Sequence, residues 1–289
     1  MKHKILIIGI KGMAGHMLYQ FFSEQADYEV WGIARNITEE PNKLNLDITD
    51  TEALKQIIST HNFTHVVNCI GILNKDAEDH PAKAIWFNSY FPHFLEELTK
   101  GTPTKVIHIS TDCVFSGKNG GYTEDAPKDG IGYYAQSKAL GELDNDKDVT
   151  IRMSIIGPEV NTNGIGLFHW FMSQSAEAEL KGYTRAYWTG LTTLELAKVV
   201  KEIIAQKITG LIQVVPEEKI DKWNLINLFN KIYRNDAVVI RRDDVYNVDK
   251  SLKSIRTDFK YEVPTYEEML NDQKQWKINH SNLYNHYTF

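Results

Sequence analysis

The first half of the chain alternates short apolar runs with segments of helical periodicity. The runs end in glycine or small polar residues, as do strands that are buried on both faces of a parallel sheet. Between them, apolar residues recur every three to four positions, which is typical of amphipathic helices, the longest at 81–100. This alternation predicts an α/β fold, a Rossmann-type doubly wound parallel sheet, with strands at 5–8, 29–33, 44–48, 65–70, 105–110 and 149–154.

The second half of the chain has a looser pattern. Its periodicity predicts three helices, at 192–205, 223–233 and 266–278, and one strand at 211–215. The aromatic stretch at 164–172 fits either a substrate lid or ordinary core. Because no low-complexity linker separates the halves, we predict two lobes with an interleaved boundary. These are an NAD(P)-binding Rossmann domain at 1–157 and a smaller α/β lobe, mainly substrate-binding, at 158–289.

Composition excludes several classes of protein. At 289 residues, 42% apolar and 24% charged, the chain has the make-up of an ordinary globular protein. Its net charge of −6 leaves no basic excess to neutralise phosphates, so nucleic-acid binding is not expected. Two cysteines without Cys-x-x-Cys spacing and ten scattered histidines predict neither a disulfide scaffold nor a metal site. No apolar run approaches the ~18 residues of a membrane span, and the N-terminal run is too short for a signal peptide, so we expect a cytoplasmic protein.

A glycine-rich turn follows the first predicted strand. Gly9, Gly12 and Gly15 form a Gly-x-x-Gly-x-x-Gly pattern that also contains Lys11 and Met13, and a helical pattern begins at once. Glycines let the backbone approach a pyrophosphate closely, and the amides at a helix N-terminus bind its oxygens. We therefore predict dinucleotide binding here, with a purely structural turn as the alternative.

The ends of the next strands supply the remaining cofactor candidates. An acid after the second strand would bind the 2′-hydroxyl of NADH, whereas an arginine accommodates the 2′-phosphate of NADPH. Arg35 occupies this position, so NADPH is predicted, with NADH as the alternative and a surface arginine as the reading without function. Further cofactor contacts are predicted where the third and fourth strands end, at Asp47, Ile48, Cys69, Ile70 and Gly71.

Catalytic chemistry is predicted where the fifth strand ends in Ser110-Thr111-Asp112. Tyr134 and Lys138 follow with helical spacing, which puts both side chains on one face, about 6 Å apart along the axis. A fixed ammonium stabilises a phenolate, so we expect Lys138 to lower the pKa of Tyr134 and allow proton exchange near neutrality. Thr111 offers a hydroxyl to the same place.

Four motifs together resemble the extended short-chain dehydrogenase/reductases, and among them the dTDP-4-dehydrorhamnose reductases. They are Gly9-x-x-Gly12-x-x-Gly15, Ser110-Thr111-Asp112-x-Val-Phe115, Tyr134-x-x-x-Lys138-Ala-Leu-Gly-Glu142 and Ile-Arg152-Met-Ser. The resemblance covers nearly the whole chain. It implies an NAD(P)H-dependent oxidoreductase that reduces the C4 ketone of a nucleotide-linked 4-keto-6-deoxy sugar, for deoxysugar and surface polysaccharide synthesis.

The resemblance also implies roles for individual residues. Tyr134 would protonate the new alkoxide, Lys138 would hold the nicotinamide ribose and lower the phenol's pKa, and Thr111 would hydrogen-bond the carbonyl oxygen. Tyr134 and Lys138 are also among the cofactor-binding residues. The substrate-binding residues it implies are Thr111, Asp112, Cys113, Arg152, Trp170 and Trp188.

Some positions depart from the dTDP-4-dehydrorhamnose reductase pattern. Cys113 replaces an aromatic residue, Ile155-Ile156 stand where a tryptophan is usual, and the loop 185–192 differs. The sugar and its nucleotide therefore stay open between a dTDP sugar and a UDP-linked N-acetylated one.

Other functions also stay open. A 4-epimerase would use the same Tyr-Lys chemistry with a retained cofactor, and a non-catalytic NADPH-binding regulatory subunit would share the fold. A 4,6-dehydratase is disfavoured, because Cys113 stands where that family uses glutamate. The aromatic residues of the second half fit a core or the seam of a homodimer.

Overall fold

The computed structural model describes residues 2–175 and 177–287, and the chain forms two compact units. The first comprises the residues up to Val114 together with Ile131–Arg152 and Lys207–Ile212. The second comprises Phe115–Gly130, Met153–Gln206 and the residues from Gln213 onward. The chain therefore passes between the units several times, and the division predicted at residue 157 stays a prediction.

The regular elements follow one another in this order. The strands are β1 (His3–Ile8), β2 (Tyr28–Ala34), β3 (Lys43–Asn45), β4 (His65–Asn68), β5 (Lys105–Ile109), β6 (Val149–Arg152), β7 (Ser154–Ile156), β8 (Glu179–Trp188), β9 (Gly190–Thr192), β10 (Gly210–Gln213), β11 (Ile220–Asp221) and β12 (Val239–Asp249). The α-helices are α1 (Met13–Ser23), α2 (Thr51–His61), α3 (Asn74–Asp79), α4 (Pro81–Ala84), α5 (Phe91–Leu98), α6 (Tyr133–Leu140), α7 (Leu167–Met172), α8 (Thr193–Gln206), α9 (Lys222–Arg234) and α10 (Tyr266–Asn279). Short 3-10 turns lie at Asp112–Val114 and Ser281–Leu283.

A seven-stranded sheet forms the centre of the first unit, in the order β10-β6-β5-β4-β1-β2-β3. The neighbours from β1 to β6 pair in parallel. The strand order reverses beside β1, which is the topological switch of a doubly wound sheet, and ligands bind such sheets at the carboxyl ends of the strands. The predicted Rossmann-type fold is confirmed, and β1 to β6 correspond to the six predicted strands.

A continuous apolar core packs against this sheet. Full burial of one aliphatic or phenylalanine side chain stabilises the fold by about 1.5–3 kcal/mol. The core joins residues from β1, β2, β4 and β5 to residues from α2, α5 and the connecting segments, namely Leu6, Ile8, Ile33, Ile48, Leu54, Ile58, Phe63, Val66, Phe91, Leu95, Val106 and Leu143. This packing holds the strand ends in register, so that the turns that follow them are fixed relative to one another.

The helix predicted at 81–100 contains a π-helical turn, Ile85–Tyr90, between α4 and α5. Inside it, the side chain of Asn88 accepts from the backbone N–H of Ile72 at 2.8 Å and donates to Ser137 Oγ at 3.0 Å. A Cβ at Gly141 would lie 1.8 Å from the Asn88 carbonyl oxygen, so the two segments touch backbone to backbone. The widened turn thereby joins the loop after β4 to α6.

The second unit contains two smaller sheets. One has the order β11-β8-β12, and the other pairs β7 with β9 in parallel. The sequence does not predict β8 or β12. Most residues of β12 are exposed, and its Arg241-Arg242-Asp243-Asp244 run carries no apolar alternation from which a strand could be recognised.

Candidate active site

The glycine turn after β1 has the backbone geometry that a bound pyrophosphate needs. Gly9 has φ +97°, a conformation that residues with a Cβ rarely adopt. A Cβ at Gly15 would lie 2.2 Å from the Gly9 carbonyl oxygen, so α1 and the turn are packed as closely as glycine permits. Gly12 precedes the first residue of α1 and provides no side-chain cap, which leaves the first amides of the helix open to an anion. The turn therefore fits a dinucleotide.

Two cationic side chains lie together where β2 ends. Lys11 Nζ donates to the carbonyl oxygens of Arg35 and Asn36, each at 3.3 Å. Arg35 is 65% exposed in its side chain and lies 3.2 Å from a carboxylate oxygen of Asp47. The pKa of Asp47 lies below its usual range, chiefly because the backbone N–H of Thr49 donates to its carboxylate. The Arg35 guanidinium lowers this pKa further. The structure thus brings three of the predicted cofactor residues together at this corner.

The predicted cofactor residues at the ends of β3 and β4 differ in accessibility. Ile48 is 3% exposed and belongs to the apolar core, so its side chain is not available to a ligand. Ile70 borders the glycine turn, since a Cβ at Gly9 would lie 2.9 Å from its Cγ1. Burial raises the pKa of the Cys69 thiol to about 12, which makes it unreactive, and Gly71 follows with partial exposure.

Thr111, Tyr134 and Lys138 converge beyond the end of β5. The Thr111 hydroxyl lies beside the Tyr134 phenol. It donates to an Asp112 carboxylate oxygen and accepts the Cys113 N–H, each at 3.1 Å. Tyr134 and Lys138 lie one turn apart on α6. The N-terminus of α6 is held by the Glu78 carboxylate, which accepts the N–H groups of residues 133 and 134 at 3.1 and 3.0 Å. The Thr111 hydroxyl, the Tyr134 phenol and the Lys138 amine therefore lie at the same edge of the sheet, where β5 ends.

The electrostatics of this group differ from the prediction. Burial raises the pKa of the Tyr134 phenol, with Cys113 and Asp112 adding to the effect and Thr111 opposing it. Burial lowers the pKa of Lys138 to about 8, against the attraction of Glu142. The expectation that Lys138 lowers the pKa of Tyr134 is wrong for the chain by itself. Nζ of Lys138 donates instead to the Ile109 carbonyl oxygen at 2.7 Å and lies 3.2 Å from His108 Nε2.

The comparison with known families decides the assignment. The model of the RmlD substrate binding domain matches residues 2–212. The chain belongs to this family. Membership confirms the resemblance to the extended short-chain dehydrogenase/reductases, and with it the prediction of an oxidoreductase.

Individual relatives of this RmlD-family chain include a probable low-salt glycan biosynthesis reductase of Haloferax volcanii. That protein is 24% identical over 84% of the chain and 85% of its own length. A dTDP-4-dehydrorhamnose reductase of Streptomyces griseus is 31% identical over 47% of the chain and 43% of its own length. Among solved structures, a Bacillus anthracis dTDP-4-dehydrorhamnose reductase in complex with NADP superposes with a TM-score of 0.79 at 18% identity, covering 96% of the chain and all of the other chain.

Arg152 of the RmlD-family chain takes part in a buried ion pair. Its Nε and Nη2 lie 2.8 and 2.7 Å from the two Glu142 carboxylate oxygens, and both side chains are 1% exposed. Ser110 Oγ donates to the same carboxylate at 2.7 Å. The pair joins β6, the end of α6 and the end of β5, so Arg152 supports the residues that carry Thr111 and Lys138. Its burial corrects the prediction that it contacts the substrate.

The tryptophans implied as substrate-binding lie in the second unit. Trp170 on α7 is 40% exposed and thus remains a candidate for ligand contact. Trp188 at the end of β8 is only 3% exposed, with its ring centroid 5.7 Å from that of Tyr266. It is a core residue, so a contact between its ring and a substrate is not supported.

Several groups around the site escaped the sequence analysis. Glu78 and Asn88 contact α6 from segments whose sequence shows no catalytic motif. Asn68 and His108 lie side by side on β4 and β5 as register partners. The signal for these last two is polarity inside a strand that is otherwise apolar and fully buried, since both are 0% exposed.

Residues 2–175 and 177–287 contain neither a metal-binding cluster nor a helix that could span a membrane. That part of the chain contains no group of three or more histidine, cysteine or acidic side chains placed to hold a metal ion. In the same residues no helix combines the length and the apolar character needed to cross a bilayer.

Proposed function

We propose that the chain reduces the C4 ketone of a nucleotide-linked 4-keto-6-deoxy sugar with NADPH, NADH being the alternative donor. The observation that carries the proposal is the convergence of Thr111, Tyr134 and Lys138 at the end of β5 in a doubly wound sheet whose first turn is built for a dinucleotide. The names of the two relatives and of the solved structure support the reductase class.

The side chains divide the chemistry among them. A bound nicotinamide cofactor supplies the hydride. Tyr134 donates its phenolic proton to the ketone oxygen, which gains negative charge as it is reduced. Thr111, whose hydroxyl lies beside the phenol, hydrogen-bonds the same oxygen and keeps it next to the proton donor. Lys138 lies one helical turn from the phenol and supplies the positive charge that stabilises the resulting phenolate.

Close packing of the glycine turn yields a prediction for cofactor binding. The variant Gly15→Ala is expected to bind NADPH about tenfold more weakly or worse, because its methyl must displace the Gly9 carbonyl at a cost of about 1–3 kcal/mol. Titration of nucleotide fluorescence measures the affinity, and urea unfolding of the same variant separates a local change in the turn from loss of the fold. An affinity for NADPH that stays unchanged in Gly15→Ala would contradict the argument.

The choice of NADPH rests on the corner formed by Lys11 and Arg35. Removing the guanidinium in Arg35→Ala is expected to raise the KM for NADPH about tenfold and leave that for NADH nearly unchanged, since only NADPH presents a phosphate there. Steady-state kinetics with both nucleotides measures the ratio. As a control, Arg256→Ala removes a guanidinium that pairs with Asp258 in the second unit. A parallel rise in both KM values would refute the NADPH assignment.

The sugar and its nucleotide are the finer part of the proposal. The relatives named as dTDP-4-dehydrorhamnose reductases favour a dTDP sugar, for deoxysugar and surface polysaccharide synthesis. Cys113 lies beside Tyr134 and is smaller than the aromatic residue expected there, which leaves room for a bulkier sugar such as a UDP-linked N-acetylated one.

A panel of substrates tests the proposal. The purified chain is mixed with NADPH or NADH and with dTDP- and UDP-linked 4-keto-6-deoxy sugars, and consumption of the reduced nucleotide is followed by its near-ultraviolet absorbance. Oxidation with one sugar identifies the substrate and the donor. If no sugar causes oxidation although the cofactor binds, the proposed reductase is wrong, and released or tightly retained NAD then distinguishes a regulatory subunit from an epimerase.

A further inference from the structure

A chain of three buried polar side chains runs behind the candidate active site. Asn68 Nδ2 lies 3.1 Å from His108 Nδ1, and His108 Nε2 lies 3.2 Å from Lys138 Nζ. Asn68 and His108 are 0% exposed and Lys138 is 4% exposed. Buried polar atoms have no water to pair with. Each of the two contacts is therefore favourable only if one atom donates a hydrogen bond and the other accepts it.

The backbone N–H of Ile70 fixes the orientation of the Asn68 side-chain amide. The backbone N–H of Ile70 donates to the Asn68 side chain at 3.1 Å. A backbone amide can only donate, so the atom that faces it must be the side-chain oxygen Oδ1. The other arm of the amide, Nδ2, therefore faces His108 and donates to Nδ1.

This orientation determines the tautomer of His108. Complete burial lowers the pKa of His108 well below its ordinary value, with the charge of Lys138 adding to the effect, so the ring is neutral and carries one proton. Since Nδ1 accepts from Asn68, the proton must be on Nε2. The Nε2–H group then points at Lys138 Nζ.

Lys138 can accept that hydrogen bond only as a free amine. An ammonium has three donors and no lone pair, and would set a donor against the donor of His108. A charged lysine requires the imidazole proton on Nδ1 and the Asn68 amide turned over, which gives up the Ile70 N–H. The geometry therefore allows two states, and the observed contacts belong to the one with the uncharged amine.

We infer that Asn68 and His108 are positioning residues that set the protonation state of Lys138, and that they link it to the backbone at Ile70. Ile70 lies against Gly9 of the dinucleotide turn. A movement of this backbone releases Asn68, allows the other tautomer of His108 and favours the charged lysine. The inference rests on the proposed function only in giving Lys138 its part in catalysis.

Four other titratable or charged groups face these side chains or one another. Glu142 and Cys69 act on Lys138, and both favour its charge. The Glu142 carboxylate is neutralised by Arg152, and the Cys69 thiol, with its pKa raised to about 12, is uncharged. His93, on α5, acts on His108 together with Lys138 and lowers its pKa further. Burial lowers the pKa of Lys138 itself to about 8.

The first test reads the tautomer directly. The intact chain is labelled with ¹⁵N-histidine, and the ring of His108 is assigned by through-bond correlation to its own backbone, without any variant. The two ring nitrogens have distinct chemical shifts according to which carries the proton. We expect the proton on Nε2 at a pH well above 8, where the Lys138 amine is uncharged. A proton on Nδ1, or on both nitrogens, at that pH would overturn the inference.

The second test reverses the tautomer. Asn68→Asp keeps the shape and the acceptor for Ile70 but accepts from His108 Nδ1–H, which frees Nε2 to accept from a lysine ammonium. The pKa of Lys138, followed in ¹³Cε-labelled lysine spectra, is expected to rise by about 1 or more. Asn62→Asp, which adds the same charge at an exposed turn after α2, should leave it unchanged. A Lys138 pKa that stays the same or falls in Asn68→Asp would refute the relay. The ring nitrogens of His108 in the same variant separate the relay, which moves the proton to Nδ1, from direct attraction by the new charge, which leaves it on Nε2.

Neither measurement requires turnover. If His108 carries its proton on Nε2 but no sugar is reduced, only the proposed reductase fails. If a sugar is reduced while the proton is on Nδ1, only the inference about Asn68 and His108 fails.

Discussion

Tyr134→Phe is expected to lower turnover by about 10²–10⁴-fold while the affinity for NADPH stays unchanged. The substitution removes the phenolic oxygen that lies beside Thr111 and keeps the aromatic ring. The ketone oxygen would then gain its proton from water, without a positioned acid. Because the phenol is not part of the glycine turn or the Arg35 corner, cofactor binding has no reason to change.

Single-turnover kinetics and nucleotide titration measure the two quantities separately. The matched control is Tyr133→Phe, which removes a hydroxyl from the adjacent residue of α6, a side chain that is 46% exposed. Its turnover should remain close to that of the unaltered chain. If Tyr134→Phe turns over as fast as Tyr133→Phe, the phenol is not the acid. The chain would then be better described as a dinucleotide-binding subunit.

Arg152→Met is expected to lower the free energy of unfolding by about 3–5 kcal/mol. The Glu142 carboxylate would be left in a site that is 1% exposed without the guanidinium that pairs with it. The Ser110 hydroxyl, which donates to the same carboxylate, is neutral and cannot replace that positive charge. The loss of stability should therefore be large.

The double variant Arg152→Met/Glu142→Met is the control for this cost. Replacing both charges by side chains of similar volume removes the uncompensated carboxylate, and much of the lost stability should return. Urea unfolding followed by circular dichroism measures all three chains. A single variant as stable as the double one would show that water reaches Glu142 and that the pair is not buried in solution.

The sequence predicts what depends on local pattern. Ile5, Leu6, Ile7 and Ile8 are all 0% exposed in β1, as their unbroken apolar run indicates for a strand covered on both faces. Helical spacing placed Tyr134 and Lys138 one turn apart, and the Gly9 turn follows from the residues next to it. These features need only the periodicity of a strand or helix and the freedom of glycine, which neighbouring residues encode.

Contacts between distant residues could not be predicted in the same way. Lys138 contacts His108, which is 30 residues away in the sequence. Asn68 and His108 are 40 residues apart, and Asn88 and Ser137 are 49 residues apart. Each partner is specified by the packing of β4, β5 and α6, and not by any motif. Arg152 was therefore predicted to bind the substrate, although its position beside Glu142 makes it a structural residue.

By itself, then, the sequence determined the doubly wound fold, the glycine turn after β1 and the order of the candidate catalytic groups, because each follows from short-range periodicity. Only the tertiary structure decided how those groups are charged. Burial raises the pKa of Tyr134 and lowers that of Lys138, and a neutral His108 occupies the place from which the lysine's charge is controlled. Desolvation and hydrogen-bond direction are properties of the packed interior, where atoms far apart in the chain meet without water.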